Sequence, residues 1–212
     1  MVAPIRPGYG ARGGEDRERS GTRIEADGSC GGTPRIAAAS AASAAAVLAT
    51  IDWARRQSWV AKDRILLVGT SAGGLATVVA ASKAPPGVVG FVDFSGGSAG
   101  YPKQRPGASC GEVALTEVFR RAGRSVRVPS LWLYAENDRY WGAAAPRLWH
   151  AAFAEGGSAT KLVVTAPLAG DDGHRLMLRG GRLWSKPVDG FVTGLGFTYP
   201  AAGAAVSSPE PE

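Results

Sequence analysis

The chain of 212 residues is short of the groups from which most catalytic and cofactor sites are assembled, with two cysteines and two histidines. No unbroken run of 18 apolar residues is present, which argues against a membrane-spanning helix. The start, Met1-Val-Ala-Pro-Ile-Arg-Pro, lacks the charged, apolar, small-residue order of a secretory leader. Read literally, that places the protein in the cytoplasm, and a leader lost upstream of Met1 would make it exported. The net charge of +6 comes from scattered arginines, without aromatic-interleaved basic stripes or a nucleic-acid motif, so it argues for solubility rather than for a nucleic-acid partner. No pattern bears on oligomeric state.

What is present is ordinary for a globular chain, with 45% hydrophobic and 20% charged residues, long enough for one domain with a sizeable core. Four short apolar runs bounded by turn residues are strand candidates: Ile65 to Val68, Val88 to Phe94, Ser130 to Ala135 and Lys161 to Thr165. Helical segments are expected at Ala72 to Lys83, Val113 to Arg121, Ala143 to Ala154 and Val188 to Leu195. An Ala-rich helix precedes them, with Thr33 as its N-cap and Pro34 at its first position, running to about Gln57. Strands alternating with helices, and strands apolar along their whole length, predict an α/β fold with a parallel sheet covered on both faces.

Three segments read as irregular. Met1 to Pro4 has the character of the end of a strand. The following Gly8, Gly10 and Gly13 spell a G-x-G-x-x-G, but the polar Glu15-Asp-Arg-Glu-Arg opens no helix, so a dinucleotide site is rejected and a loop expected. Pro102 to Gly111 is a Pro/Gly-rich excursion long enough to border a site, and residues 201–212 form a tail without periodicity, expected to be disordered beyond a single domain of residues 1–200.

The chemistry-bearing motif is Gly69-Thr-Ser71-Ala-Gly73, between a strand candidate and a helix candidate. G-x-S-x-G at a strand-to-helix turn lifts a serine hydroxyl clear of the backbone, and glycines on either side leave room for the turn. A serine nucleophile needs a base. His150 lies in mid-helix and reads as an ordinary face residue, whereas His174 follows the last strand in Asp171-Asp-Gly-His174, at the end of the sheet where reactive groups gather. Asp138, just past the third strand in Ala135-Glu-Asn-Asp138, is preferred to Glu136 as the carboxylate that orients the imidazole. Asp93 reads as structural, and Asp171 and Asp172 as loop charges.

These three segments resemble the nucleophile, acid and base segments of the dienelactone hydrolase-like group of α/β-hydrolases. The early Ala3-Pro-Ile-Arg-Pro-Gly-Tyr-Gly10 is similar to the arginine–glycine turn ahead of the nucleophile in that superfamily. The resemblance implies the α/β-hydrolase fold with Ser71 as nucleophile, Asp138 as acid, His174 as base and the Ala72 N–H in the oxyanion hole. The name-giving enzymes carry cysteine where this chain has Ser71, so lactone specificity is not inherited. In the superfamily several strands precede the arginine–glycine turn, and a loop among them supplies the second oxyanion donor. The resemblance therefore implies a fold incomplete at its N-terminus, from a start internal to a longer protein or a truncated domain, with one sheet edge unpaired. Loss of one donor costs about 2.7 to 4 kcal/mol of transition-state stabilisation.

The expected activity is a serine hydrolase that cleaves a carboxylic ester or related small acyl substrate through an acyl-enzyme, needing no metal or organic cofactor. Within that class an acylaminopeptidase-like peptidase is the alternative. Outside it stands a non-catalytic remnant that keeps the triad letters. The two cysteines, Cys30 and Cys110, are compatible with a disulfide or with two thiols. In the fold so inferred both loops border the same end of the sheet, which predicts a disulfide.

Overall fold

The computed structural model describes residues 1–5 and 8–198. Its centre is a four-stranded parallel sheet formed by β3 (Ile65–Thr70), β4 (Val88–Phe94), β7 (Ser130–Ala135) and β8 (Thr160–Thr165), in that spatial order. Parallel neighbours need crossovers, and helices supply them: α2 (Ala72–Ala81), α3 (Glu112–Ser125) and α4 (Ala144–Ala154). The two-residue alternation of each strand sorts the core into two layers. Phe91, Trp132 and Tyr134 pack under α2, α3, α4 and the long α1 (Ile36–Ala54), with Leu75, Leu115, Phe119, Trp149 and Phe153. Val92, Phe94, Leu131 and Leu133 face the other way, onto α5 (Leu176–Arg179) and α6 (Gly181–Gly194) through Leu176, Trp184, Val188 and Phe191. The parallel sheet with helices on both faces is thus as expected from the sequence.

Among the described residues β3 pairs only with β4, through the register Gly69 to Asp93, and its outer side is bare enough to leave Val68 47% exposed. A groove of about 700 Å³ follows that edge, lined by Val47, Ile51, Trp59, Val68 and Gly73 among others.

Several boundaries differ from expectation. Residues 1–5 form no strand, and Met1, Val2 and Ile5 are exposed. Arg6 and Pro7 of the arginine–glycine turn and the tail at 201–212 lie outside the described residues. Gly8 to Gly13 holds only a one-turn 3-10 helix at Gly10–Arg12, as a loop reading requires. The Ala-rich helix starts at Ile36 rather than at Pro34, with Arg35 at its cap making no side-chain bond. Arg35 instead closes the open end of a hairpin, its N–H donating to the Ser20 carbonyl at 2.6 Å. That hairpin, β1 (Thr22–Ile24) with β2 (Cys30–Gly32), is antiparallel, and its turn carries Asp27-Gly28, a hairpin signal outweighed by the glycines of β2. A second hairpin, β5 (Gly100–Tyr101) with β6 (Arg105–Ser109), occupies the excursion at 102–111.

The last helix begins at Gly181, seven residues before the expected start, and carries Pro187 inside it. Apolar packing of Leu183 and Trp184 outweighs the helix-breaking tendency of glycine and proline there. α1 has the length and mean hydropathy to cross a bilayer, although Ser40, Ser43, Thr50 and Asp52 interrupt its apolar residues. In the fold it lies along α2 and buries Ile36, Ala39, Ala44 and Ile51. Cys30 and Cys110 form a disulfide that fastens the first hairpin to the end of β6.

Candidate active site

The carboxyl ends of β3, β7 and β8 converge on one spot. β3 ends at Thr70 and α2 begins at Ala72, so Ser71 alone makes the reversal, and it does so with φ 56° and ψ −127°. A left-handed serine is strained, and persists where the surroundings over-determine it. Three backbone bonds hold it: the Ser71 N–H donates to the Phe94 carbonyl at 2.9 Å, and its carbonyl accepts from the Gly97 N–H at 3.2 Å and from the Leu75 N–H at 3.1 Å. Gly69 is required by close approach, since a Cβ there would run into the Gly73 carbonyl and lie 2.5 Å from Thr77 Oγ1. At Gly73 itself a Cβ meets nothing within 4 Å, so the expected steric need for glycine falls on Gly69 alone.

His174 Nε2 lies 2.9 Å from Ser71 Oγ, and His174 Nδ1 lies 3.1 Å from Asp138 Oδ2. Asp138 is 2% exposed, and its other oxygen accepts the N–H groups of Tyr140 at 2.8 Å and Trp141 at 3.2 Å. Three partners around one buried carboxylate make its desolvation tolerable. Glu136, the competitor for that position, is exposed. Ala72 is exposed and opens α2, so its N–H has no acceptor within the helix and faces outward beside Ser71.

The structure therefore brings together Ser71, Asp138, His174 and Ala72, and leaves His150 elsewhere. His150 Nε2 meets Thr160 Oγ1 at 2.9 Å and its ring stands edge-on to Trp132; burial alone lowers its pKa.

Four further residues escaped the sequence reading. Tyr140 stacks on the His174 ring, centroids 3.9 Å apart and planes 26° from parallel, while Trp141 meets the same ring edge-on at 5.5 Å. Asn137 ties the loop of the carboxylate to the loop of the imidazole: its Oδ1 accepts the Leu168 N–H, and its Nδ2 donates to the carbonyls of Leu168 and Asp171. Asp172, expected to be a loop charge, accepts the N–H groups of Arg139 at 3.0 Å and His174 at 2.9 Å through one oxygen. An Asx-type cap of this kind fixes the backbone on which His174 stands. The available signal was the polar run Glu136-Asn-Asp-Arg directly followed by two aromatics, dense in turn-forming groups at a strand end.

Among the described residues no group of three or more His, Cys, Asp or Glu side chains could hold a metal ion. The hydroxyl, imidazole and buried carboxylate in series, beside a free helix N-terminus, form an arrangement suited to taking a proton from the hydroxyl and stabilising negative charge nearby.

An esterase of Pyrococcus furiosus has a similar fold, with TM-score 0.53 and 13% identity over 70% of this chain and 59% of its own. A CIB-like hydrolase of Thermoplasma acidophilum gives TM-score 0.54 and 12% identity over 89% of this chain and 69% of its own. Est1E of Butyrivibrio proteoclasticus gives 0.50 and 19%, over 72% and 68%. The chain thus spans about three fifths of the length of the Pyrococcus esterase. No curated protein matches it in sequence. The sequence profile of the X-Pro dipeptidyl-peptidase (S15) family matches residues 25–155, a span that holds Ser71 and Asp138 and stops short of His174. Matched over more than half its length and folded as an α/β-hydrolase, the chain belongs to the X-Pro dipeptidyl-peptidase (S15) family of that superfamily.

Proposed function

We propose that the protein is a serine hydrolase that cleaves a small acyl substrate, a carboxylic ester or related derivative, with Ser71 as nucleophile. The observation that carries this reading is the unbroken series Ser71 Oγ, His174 Nε2, His174 Nδ1, Asp138 Oδ2 at bonding distances. Ser71 Oγ–H donates to Nε2, and Nδ1–H donates to the Asp138 carboxylate, which fixes the tautomer. As Ser71 Oγ attacks the acyl carbon, His174 takes its proton and Asp138 stabilises the imidazolium. The carbonyl oxygen becomes an oxyanion and leans on the Ala72 N–H at the positive end of α2. His174 then returns the proton to the leaving group, and a water activated by His174 releases the acyl group from Ser71. His174 thus relays each proton between Ser71, the leaving group and the attacking water, a reaction that calls on no metal or organic cofactor. Tyr140, stacked on His174, holds the ring in the plane from which it reaches both partners.

Family membership favours a second reading within the same chemistry, cleavage of a peptide bond after proline. Both substrates proceed through an acyl ester on Ser71, the one releasing an alcohol and the other an amine. The test is labelling of the folded protein with a fluorophosphonate, with Ser71→Ala as control, followed by turnover of a p-nitrophenyl ester and of an X-Pro p-nitroanilide. Ser71-dependent labelling is expected. Its absence in folded protein would replace this reading by that of a non-catalytic member, and the two substrates decide between ester and amide.

A further inference from the structure

Next to the Ser71 turn lies a carboxyl group that the reaction above does not use. Asp93, on β4, is fully buried on the helix-covered face of the sheet. It is wedged between two backbones: a Cβ on Gly74 of α2, or on Gly96, would collide with its carboxyl oxygens. Asp93 Oδ1 has no hydrogen-bond partner of good geometry, and Oδ2 lies 3.1 Å from Tyr134 Oη. Tyr134 Oη in turn lies 2.8 Å from the Gly96 carbonyl.

Hydrogen counting restricts what this cluster can be. A phenol has one hydrogen, and here two oxygens stand within bonding distance of it. If Asp93 is ionised, the hydrogen is claimed by the carboxylate and the buried Gly96 carbonyl loses its donor. If Asp93 keeps its proton on Oδ2, that proton goes to Tyr134 Oη and the phenol hydrogen goes to Gly96, so both contacts are made. Among the described residues no cation pairs with Asp93. Tyr134 faces it from β7, Gly69 and Trp132 stand beside it in register on β3 and β7, Gly74 covers it from α2, and the nearest further charge acting on Tyr134 is the carboxyl of Asp138. None of these carries a positive charge. Burial pushes the Asp93 pKa up to about 7, against the weaker opposing pull of Tyr134 and the Gly96 N–H.

The turn held by this cluster reaches the reacting groups. Gly97 donates its N–H to the Ser71 carbonyl, and the Ser95 carbonyl accepts the indole N–H of Trp141, whose ring abuts His174. Ser95 itself has φ 48°, so two strained serines lie on neighbouring turns. We propose that Asp93, held as a neutral acid, is a positioning residue for Ser71: it completes a hydrogen-bonded chain through Tyr134 to Gly96 and so fixes the 95–97 turn. When the Oδ2 proton leaves to solvent, Tyr134 turns its hydrogen to the carboxylate, Gly96 is released, and the support of Ser71 and of Trp141 loosens together.

This rests on Ser71 being the reactive group, and the experiment keeps the two ideas apart. The rate of fluorophosphonate labelling of Ser71 is followed from acid to alkaline pH in the wild type, Asp93→Asn and Asp93→Ala. The wild-type rate is expected to fall on the alkaline side by about five- to tenfold, the worth of one broken hydrogen bond. Asp93→Asn, permanently neutral and able to donate to Tyr134, holds its rate there, and Asp93→Ala is slow at every pH. Infrared difference spectra are expected to show a neutral carboxyl band in the wild type near neutral pH that is missing from Asp93→Asn. Hydrogen exchange at Gly97, compared at one alkaline pH, is slower in Asp93→Asn. A wild-type alkaline fall retained in Asp93→Asn overturns the proposal, as does absence of the neutral carboxyl band. If Ser71 never labels, the functional reading fails, while the infrared band and Gly97 exchange still decide whether neutral Asp93 holds the turn.

Discussion

Replacing Asp93 by asparagine should make the protein progressively more stable, relative to the wild type, as pH rises from about 4 to about 8. The folded carboxyl has its pKa near 7 against an ordinary value of 3.8. At low pH the folded and unfolded chains both keep the proton, and the group costs nothing by ionisation. As pH climbs past 3.8 the unfolded chain gives up its proton while the folded chain retains it, so stability is lost; beyond about 7 the folded chain ionises too and the loss levels off. At 1.36 kcal/mol per unit, the penalty works out at about 2 kcal/mol near pH 5 and about 4 kcal/mol near pH 8. Asparagine removes it. The amide adds a cost of its own, because its second N–H finds no acceptor at a site where Oδ1 already has none, worth about 1–3 kcal/mol. That cost is independent of pH and shifts the whole curve. The expected result is therefore a gap between variant and wild type that widens by about 2 to 3 kcal/mol between pH 5 and pH 8, whatever its absolute sign at either end. Urea unfolding at a series of pH values measures it. Parallel curves would refute the reasoning, since every other carboxylate is common to both proteins.

Two further perturbations test the fold around the site. The Cys30–Cys110 disulfide closes a separation of 80 residues, so the Cys30→Ser/Cys110→Ser protein should lose up to about 4.5 kcal/mol by the chain-entropy relation, and an unchanged urea midpoint would count against it. Of the adjacent glycines, Gly74→Ala drives a Cβ into the Asp93 carboxyl and to 2.9 Å from Gly96 Cα, and should destabilise by about 1–3 kcal/mol. Gly73→Ala points into open space within a helix and should stabilise by about 0.5–1 kcal/mol, so equal thermal shifts for the two would contradict the packing described.

The four parallel strands were legible because each is a run of apolar residues bounded by turn formers, a pattern that follows from burial on both faces. The hairpins at 22–32 and 100–109 were not, because Cys30-Gly-Gly32 and Arg105-Pro-Gly107 have neither alternation nor β propensity. Those strands owe their form to a tight turn, to a disulfide between residues 80 apart and to the Tyr101 hydroxyl bonding Thr22, 79 residues away. The candidate site divides in the same way. Ser71, Asp138 and His174 could be named from sequence, since strand ends in a parallel sheet share one side of the molecule and the order Ser, Asp, His threads them in turn.

The sequence by itself determined the alternation of strands and helices, and with it which loops meet at one end of the sheet, because hydrophobic period and turn chemistry are local properties. Only the tertiary structure decided which groups touch there. Asn137 and Asp172 look like ordinary loop polars until their loops are laid side by side, and Tyr140 becomes a support for His174 only once its ring is stacked. Asp93 differs most between the two levels. In sequence it is an acid interrupting an apolar strand; in the fold it is a carboxyl sealed among backbone, a phenol and no cation, and its protonation follows from that enclosure.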